Sequence, residues 1–293
     1  MNSAYALQTV SQNITYKLVF WNILCDEYSF DWKTSPKLEL KYKVWDHRKT
    51  LFTSILSSDQ AHSDIYAFVE VDKQSDIFQI VNSHTQTHPS NLYQMIYYPR
   101  PKSPLGIMLM YNQYKFALYY TRKIIIGENQ NQNFALSAVF QELFAPYSYF
   151  CIVVTHLTAW DKNESIRIKQ ITKLMNYLKQ DNAIEQYKIK NIILCGDLNT
   201  NPDSECISII KTNGYEQVFD NFDTANDDYT MVIDTMDEGI KKLKFDYIFT
   251  KGSVKVVSKC LPTEYLDYEH GMPNETFPSD HLFLKMEFAF ESK

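Results

Sequence analysis

The stretch Ile192-Ile-Leu-Cys-Gly-Asp-Leu-Asn-Thr-Asn-Pro-Asp203 decides the fold of this chain. Its four leading apolar residues run into Gly196, which predicts a buried strand that ends abruptly. Asp197 and Asn199 follow two residues apart, and side chains at that spacing project from the same face of an extended backbone. We therefore expect a carboxylate and an amide together at the C-terminal edge of a sheet, where α/β proteins usually bind ligands. The same residue types are common in turns, so this stretch alone does not distinguish a site from a turn.

Length and composition are those of an ordinary globular protein. The chain has 293 residues, enough for one large domain or two medium ones. Its formal net charge of -6 argues against affinity from a broad basic surface, but allows a nucleotide or a single-strand end in a local pocket. We find no repeat, linker or composition break. We therefore expect an N-terminal extension over residues 1–16 and a single domain over residues 17–293.

The cysteines and the apolar segments indicate the cellular compartment of the protein. Five cysteines are scattered and form no Cys-x-x-Cys pair, which predicts a reducing compartment without a disulfide framework or a zinc site. No apolar segment has the length or setting of a signal peptide or of a membrane span. We expect a soluble monomer that does not bind membranes, located in the cytoplasm, with the nucleus as an alternative.

Apolar segments with strand character dominate the chain, and helical patterns lie between them. Strands are predicted over residues 17–24, 64–72, 135–143, 148–155, 192–195, 245–249 and 282–290. Helices are predicted at Trp45–Ser58, Asn163–Gln180 and Asp203–Ile210, with Asn163 and Asp203 as N-caps. This order predicts an α/β fold.

Polar residues recur at the ends of the predicted strands. They are Asn22, Glu70, His156, Asp197 with Asn199, Asp246, and Asp280 with His281. Each has an ordinary structural explanation by itself, such as a turn asparagine or a structural histidine. A carboxylate such as Glu70 at the end of an apolar strand, however, needs a partner, a proton or a metal. Six separate coincidences are less expected than one shared site.

These polar residues include the metal ligands, the base and the hydrogen-bond donors that a Mg²⁺-dependent phosphoester hydrolase needs. Hard oxygen ligands from Glu70, Asp197 and Asp280 suit Mg²⁺, and Mn²⁺ can substitute for it. His281 with its own carboxylate, Asp246, suits the activation of water. Neutral donors suit a phosphoryl oxygen that gains charge in the transition state. These donors are Asn22, Asn199 and His156.

The ordered combination resembles the endonuclease/exonuclease/phosphatase superfamily over residues 17–290. The matching motifs are Trp21-Asn-Ile-Leu, Val69-Glu-Val-Asp, Thr155-His-Leu, Gly196-Asp-Leu-Asn, Asp246-Tyr-Ile and Ser279-Asp-His. The resemblance implies a four-layer α/β sandwich, in which two β-sheets pack face to face and helices flank them.

The resemblance also implies a role for each matching residue. Glu70 is the principal metal ligand, while Asp197 and Asn199 position the nucleophile and the phosphate. His156 stabilises the transition state. Asp246 orients the general base His281. The metal and phosphate shell is completed by Asp280 and Asn22.

Within the superfamily the sequence is most similar to the branch of nocturnin and the carbon-catabolite-repression deadenylases. The supporting motifs are Trp21-Asn-Ile-Leu, Trp45-x-x-Arg48, Tyr98-Pro-Arg-Pro-x-Ser-Pro104, Glu164-x-x-Arg167-x-x-Gln170 and Phe277-Pro-Ser-Asp-His281. The sequence departs from this branch where Val69 replaces the usual glutamine and Leu105-Gly106 an expected Asp-Gly. Thr158 and Trp160 stand where nocturnin has basic residues.

The resemblance implies a 3′-to-5′ exoribonuclease of the deadenylase type, acting on poly(A) or single-stranded RNA 3′ ends. One alternative is a nocturnin-like phosphatase that removes the 2′-phosphate of NADP(H). The other is a catalytically silent scaffold, against which the complete metal and base set argues. At the rim we predict that Arg100 and Lys102 contact phosphates and that Trp160 stacks on a base.

Overall fold

Two six-stranded sheets and a two-stranded hairpin form the framework of the part of the chain that the structure describes. The computed structural model describes residues 14–30, 39–83, 92–101, 103–127, 133–144, 148–159, 163–220, 228–235 and 239–291. In this part of the chain no helix is both long enough and apolar enough to cross a membrane.

The first sheet is mixed and presents Asn22 and Glu70 side by side. Its strands are β1 (Tyr16–Asn22), β2 (Ile65–Val69), β3 (Tyr93–Pro99), β4 (Gly106–Asn112), β13 (Val254–Cys260) and β14 (Leu284–Phe290), in the order β13-β14-β1-β2-β4-β3. β1 and β2 are parallel, and Asn22 lies opposite Val69. β2 and β4 are almost continuously apolar because both faces of the sheet are covered.

The second sheet brings a histidine and two aspartates into register. It consists of β5 (Phe116–Ile125), β6 (Phe134–Glu142), β7 (Tyr149–His156), β8 (Asn191–Asp197), β9 (Glu216–Gln217) and β12 (Asp246–Lys251), in the order β5-β6-β7-β8-β12-β9. β7 is parallel to β8, with His156 opposite Asp197. β12 is antiparallel to β8, so its first residue, Asp246, also lies opposite Asp197.

Helices cover the outer face of each sheet. They are α1 (Asp26–Ser29), α2 (Leu40–Lys43), α3 (Trp45–Ser57), α4 (Gln74–Ser83), α5 (Glu164–Gln180), α6 (Asn182–Gln186) and α7 (Glu205–Thr212). The helices predicted near residues 45, 163 and 203 are therefore present. Asn163 precedes α5 without a capping hydrogen bond from its side chain. The prediction for Asp203 was wrong, because Ser204 is the N-cap of α7 and its side chain accepts from Ile207 N.

Among the described residues, three apolar clusters separate four layers. The central cluster joins the inner faces of the two sheets, for example Phe20 and Leu109 with Leu136 and Ile152. A second cluster packs α5 and α7 on the second sheet. A third packs α3 and α4 on the first sheet. The predicted four-layer α/β sandwich is confirmed.

One edge of the sandwich collects the polar strand ends. The C-terminal ends of β1, β2, β7 and β8 meet there with the N-terminal ends of β12 and β14. The hairpin of β10 (Met231–Thr235) and β11 (Gly239–Leu243) adjoins this edge, because Met231 forms an isolated bridge with His281. The register of the strands thus places residues that are distant in sequence in one region.

Candidate active site

The structure brings together all eight residues predicted from the sequence to be catalytic or metal-binding. They are Asn22, Glu70, His156, Asp197, Asn199, Asp246, Asp280 and His281. Three further rim residues were predicted from the sequence. Of these, Arg100 lies by the site, while Lys102 and Trp160 lie outside the described residues.

Asn22 connects the carboxylates of the two sheets. Its Nδ2 donates to Glu70 Oε1 at 3.1 Å and to Asp197 Oδ2 at 2.9 Å. Its Oδ1 accepts from Leu24 N at 3.0 Å, which fixes the orientation of the amide. Both amide protons are thereby used, so in this arrangement Asn22 holds the carboxylates in place.

Glu70 combines a charged side chain with an unusual backbone. Its φ is 58°, in the left-handed region that non-glycine residues rarely adopt. Cys25 N donates to Oε2 at 3.1 Å, so the chain after β1 also holds this side chain. Burial raises the pKa of Glu70, and the nearby charge of Asp280 raises it further. Such a carboxylate favours the approach of a cation.

Glu70, His156 and Asp197 form a group that can hold a metal ion. One donor atom from each lies within 4.8 Å of the others. His156 Nε2 is 3.7 Å from Glu70 Oε1 and 3.6 Å from Asp197 Oδ2. Burial raises the pKa of Asp197 to about 8, and burial together with the charges of Arg100 and His281 lowers the pKa of His156 well below its usual value. Two converging carboxylates fit a divalent cation, and the neutral imidazole beside them can act either as a third ligand or, in the tautomer protonated at Nε2, as a donor to a substrate oxygen.

His281 and Asp246 form a buried pair. His281 Nδ1 is 2.7 Å from Asp246 Oδ2. Nε2 faces Asp197 Oδ2 at 3.8 Å and Asp280 Oδ1 at 4.0 Å. Burial lowers the pKa of His281, but the charges of Asp246, Asp280 and Asp197 outweigh it and raise that pKa well above its usual value. With Nδ1–H bonded to Asp246, Nε2 is directed toward the metal-binding group and can exchange a proton there.

Asn199 lies two residues after Asp197 in a left-handed conformation, with a φ of 50°. Asparagine tolerates that region better than most residues do. Asn199 N donates to Asp197 Oδ1 at 2.9 Å, and Nδ2 donates to Leu157 O at 3.2 Å. The second amide proton can therefore be offered to a substrate oxygen.

Arg100 and Tyr28 stand at the rim of the site. Burial lowers the pKa of Arg100, whose charge acts on both Glu70 and His156. Tyr28, which the sequence reasoning missed, is 41% exposed and interacts with Ser103 and Arg100. A cation and an exposed aromatic ring are suited to the phosphate and the base of a nucleotide.

A cleft of about 440 Å³ adjoins the turn that follows Asn199. Its lining residues are Asn201, Pro202, Asp203, Tyr229, Lys242 and Lys244. Lys242 Nζ lies 4.0 Å from the centre of the Tyr268 ring and 5.6 Å from that of Tyr229. The cleft is large enough for a small ligand and carries both aromatic and cationic groups.

Arg48 supports the site through hydrogen bonds to main-chain carbonyls, and it was not predicted as part of the site. It is fully buried, and it donates to Pro278 O at 2.7 Å, to Ile23 O at 2.6 Å and to Leu24 O. These contacts tie the segment after Asn22 to the segment before His281. The sequence does carry a signal, since Arg48 falls on the apolar stripe of α3 with Phe52, Ile55 and Leu56.

Comparison with known proteins agrees with this geometry. The sequence profile of the endonuclease/exonuclease/phosphatase family matches residues 19–281. Nocturnin of Xenopus laevis is 27% identical over 295 residues, covering 94% of this chain and 73% of that protein. The CCR4-Not complex 3′-5′-exoribonuclease subunit Ccr4 of Candida glabrata is 23% identical over 337 residues, covering 97% of this chain and 38% of that protein.

A solved structure has the same fold. The catalytic domain of human nocturnin, determined with a bound sulfate anion, aligns with a TM-score of 0.69 and 24% identity, covering 95% of this chain and 96% of that one. The fold and the buried carboxylate–imidazole cluster define a hydrolase of phosphoesters. The chain belongs to the endonuclease/exonuclease/phosphatase family, and its predicted similarity to the nocturnin and deadenylase branch is confirmed.

Proposed function

We propose that this protein is a divalent-metal-dependent 3′-to-5′ exoribonuclease that shortens poly(A) or another single-stranded RNA from its 3′ end. The observation that carries the proposal is the position of His281 Nε2, 3.8 Å from Asp197 Oδ2, which itself belongs to the metal-binding group. A base and a cation site that share one carboxylate suit hydrolysis of a phosphodiester. The Candida glabrata relative is named as an exoribonuclease subunit, which supports RNA as the substrate.

In this mechanism the chain's own residues position the phosphate and move a proton. Asp246 Oδ2 accepts a hydrogen bond from Nδ1–H of His281, which holds the ring so that the deprotonated Nε2 can take a proton from water. The water oxygen bonds to phosphorus, the bond to the 3′-oxygen of the preceding nucleotide breaks, and that oxygen takes up a proton from solvent, so that a nucleoside 5′-monophosphate and a new 3′-hydroxyl end are released. Asn199 and the neutral His156 face the phosphoryl oxygens as donors. A divalent cation held by Glu70 and its neighbours would stabilise the charge on those oxygens.

Several further features belong to the same proposal. We take Mg²⁺ as the cation, with Mn²⁺ as a substitute and Asp280 as an additional ligand. Arg100, Lys102 and Trp160 contact the substrate. Residues 17–293 act as one catalytic domain, since both sheets contribute to the site. The monomeric state and the cytoplasmic location stay predictions.

The competing function is removal of the 2′-phosphate from NADP(H). It would use the same carboxylates and the same base, so the two functions differ only in what the rim binds. Thr158, at one of the positions where nocturnin has basic residues, is held by α5: Thr158 N donates to Gln170 Oε1 at 3.1 Å, and Thr158 Oγ1 accepts from Gln170 Nε2 at 2.8 Å. An uncharged residue that is hydrogen-bonded to a helix cannot form an ion pair with an isolated phosphate. This favours RNA over NADP(H) as the substrate.

The test is a substrate panel analysed by mass. The protein is incubated with Mg²⁺ and oligo(A), mixed RNA, 2′–5′ oligoadenylate, NADP or abasic DNA, with Glu70→Gln as the inactive control. We expect stepwise shortening of oligo(A) from its 3′ end, faster than release of phosphate from NADP. Efficient dephosphorylation of NADP without shortening of RNA would reverse this assignment. Absence of hydrolysis on every substrate would favour the scaffold alternative.

A further inference from the structure

Thr230 contacts the Asp246 half of the buried pair through its side chain. It is fully buried at the start of the β10–β11 hairpin. Its Oγ1 accepts hydrogen bonds from Phe245 N at 3.0 Å and from Asp246 N at 3.2 Å. One hydroxyl thus serves two consecutive backbone amides at the point where β12 begins.

The amides of Phe245 and Asp246 lie where a small displacement of the backbone would alter the hydrogen bond between Asp246 and His281. Phe245 O accepts from Leu198 N at 2.8 Å, and Asp246 lies opposite Asp197 in the ladder of β8 and β12. The hydroxyl of Thr230 therefore provides a second anchor for the start of the strand, besides the ladder. Asp246 must place its carboxylate 2.7 Å from His281 Nδ1, so a shift of this strand end changes that hydrogen bond directly.

The main chain of Thr230 contacts the other half of the pair. Thr230 O accepts from Leu282 N at 2.7 Å, and the next residue, Met231, bridges to His281. Substitution of the side chain would leave these main-chain contacts in place. A change at the hydroxyl therefore acts on Asp246 while the backbone of His281 keeps its support.

We propose that Thr230 is a positioning residue for the Asp246–His281 pair. Its hydroxyl fixes the start of β12 so that the Asp246 carboxylate meets His281 Nδ1 in the orientation that leaves Nε2 free for substrate water. The kinetic consequence rests on the proposed hydrolytic function. The alternative is that Thr230 only stabilises the fold. A kcat effect without a KM effect, together with rescue by serine, separates the two.

The kinetic test compares Thr230→Val, Thr230→Ser and the control Thr250→Val on oligo(A). Thr250 is also buried in β12, but it lies opposite Ile193, away from the pair. We expect Thr230→Val to lower kcat by about 10–100-fold with little change in KM, because misplacement of a catalytic group by about 1 Å has effects of this size. Thr230→Ser should stay within about threefold of wild type, since it keeps the hydroxyl acceptor.

Three kinetic results would overturn the proposal: a wild-type kcat in Thr230→Val, equal loss in Thr230→Ser, or equal loss in Thr250→Val. Circular dichroism and Tm establish that each variant is folded. Thr230→Ala replaces the valine variant if that protein does not fold.

A second measurement does not require activity. In the metal-free protein the Nδ1–H of His281, hydrogen-bonded to Asp246, should give a downfield proton NMR resonance, identified by its loss in His281→Gln. We expect Thr230→Ser to retain this resonance and Thr230→Val to shift or lose it. An unchanged resonance in Thr230→Val would overturn the positioning role. If wild type hydrolyses nothing but the resonance responds as expected, the proposed function fails while the role of Thr230 stands.

Discussion

Glu70 combines two energetically unfavourable features, a largely buried carboxylate and a left-handed backbone conformation. Its side chain is only 13% exposed, yet it is a carboxylate, and its φ of 58° lies in the left-handed region. Leu24 and Asn199, with φ values of 56° and 50°, share that conformation at the same edge of the sandwich. Strained backbone persists only where surrounding contacts hold it, and such residues cluster at functional sites. We infer that these positions are set by the needs of the site.

The first prediction concerns the charge of Glu70. Glu70→Gln should abolish hydrolysis without lowering the Tm of the metal-free protein, because the substitution removes a buried charge that repels those of Asp280 and Asp197. Mg²⁺ should raise the Tm of wild type and have little effect on the variant, since a ligand that binds only the folded state stabilises it. Thermal unfolding with and without Mg²⁺ measures both. The exposed Glu39→Gln is the control and should behave like wild type. An equal Mg²⁺ shift in Glu70→Gln would contradict the metal assignment.

A second prediction at this scale concerns His281. If it is the base, His281→Asn should lower kcat by roughly 10²–10⁴-fold, the usual contribution of a positioned base. In wild type the rate should rise with pH as the imidazolium loses its proton, and the variant should lack that rise. A pH–rate profile at saturating oligo(A) measures both effects. A loss smaller than tenfold, or an unaltered acid limb in the variant, would exclude this role.

At the scale of elements, the contact between β7 and β8 sets the distance between His156 and Asp197. The two strands are parallel, with Gly196 opposite Thr155. A Cβ on Gly196 would lie 2.4 Å from Thr155 O, closer than real structures allow. The glycine is therefore required for close approach of two backbones just before the site.

The third prediction tests this close approach. Gly196→Ala should lower the free energy of unfolding by roughly 1–3 kcal/mol, the usual cost of forcing an extra methyl group into a packed interior. Urea denaturation measures the change. Gly239→Ala is the control, because its Cβ would meet nothing within 4 Å and only its φ of 70° opposes the substitution. No measurable destabilisation in Gly196→Ala would mean that the strands can separate without cost.

Elements with strong apolar patterns could be predicted from sequence, and those fixed by remote contacts could not. The strand that ends at Asp197 follows from the apolar residues before Gly196, and Asp246 follows from the next such segment. The β10–β11 hairpin was missed because β11, Gly-Ile-Lys-Lys-Leu, lacks regular alternation. The anchoring roles of Arg48 and Thr230 depend on partners that the folded chain brings close.

For the whole molecule, the two sheets supply different halves of the chemistry. The first contributes Asn22 and Glu70, and the second contributes His156, Asp197 and Asp246. The apolar core between the sheets holds these halves in register. Conformational stability and function are therefore coupled, since loosening of the core would move Glu70 away from His156 and Asp197, with which it forms the metal-binding group.

A buried glutamate outside the active site, Glu142, lies at the opposite end of the sandwich. Glu142 ends β6 there and is 3% exposed. Within the described residues its Oε2 has no hydrogen-bond partner. Burial raises its pKa to about 7, against a lowering contribution from the Ser148 backbone. Its charge in turn contributes, after burial, to the raised pKa of Tyr16. Glu142 therefore affects stability but lies away from the chemistry.

The last prediction concerns the pH dependence of stability. Because the pKa of Glu142 is about 7 in the folded chain and 4.5 in the reference state, the folded chain binds more protons between these values, and stability falls as pH rises from about 4.5 to 7. Glu142→Gln removes this loss. At pH 8 the variant should be more stable than wild type by up to about 3 kcal/mol, whereas near pH 4 the two should differ little. Urea unfolding across pH 4–8 measures the difference.

Glu287→Gln is the control of opposite sign, because a hydrogen bond from Thr15 lowers the pKa of Glu287. That variant should lose stability, relative to wild type, as pH rises. A pH-independent difference for Glu142→Gln would show that this carboxyl group keeps an ordinary pKa in the folded protein.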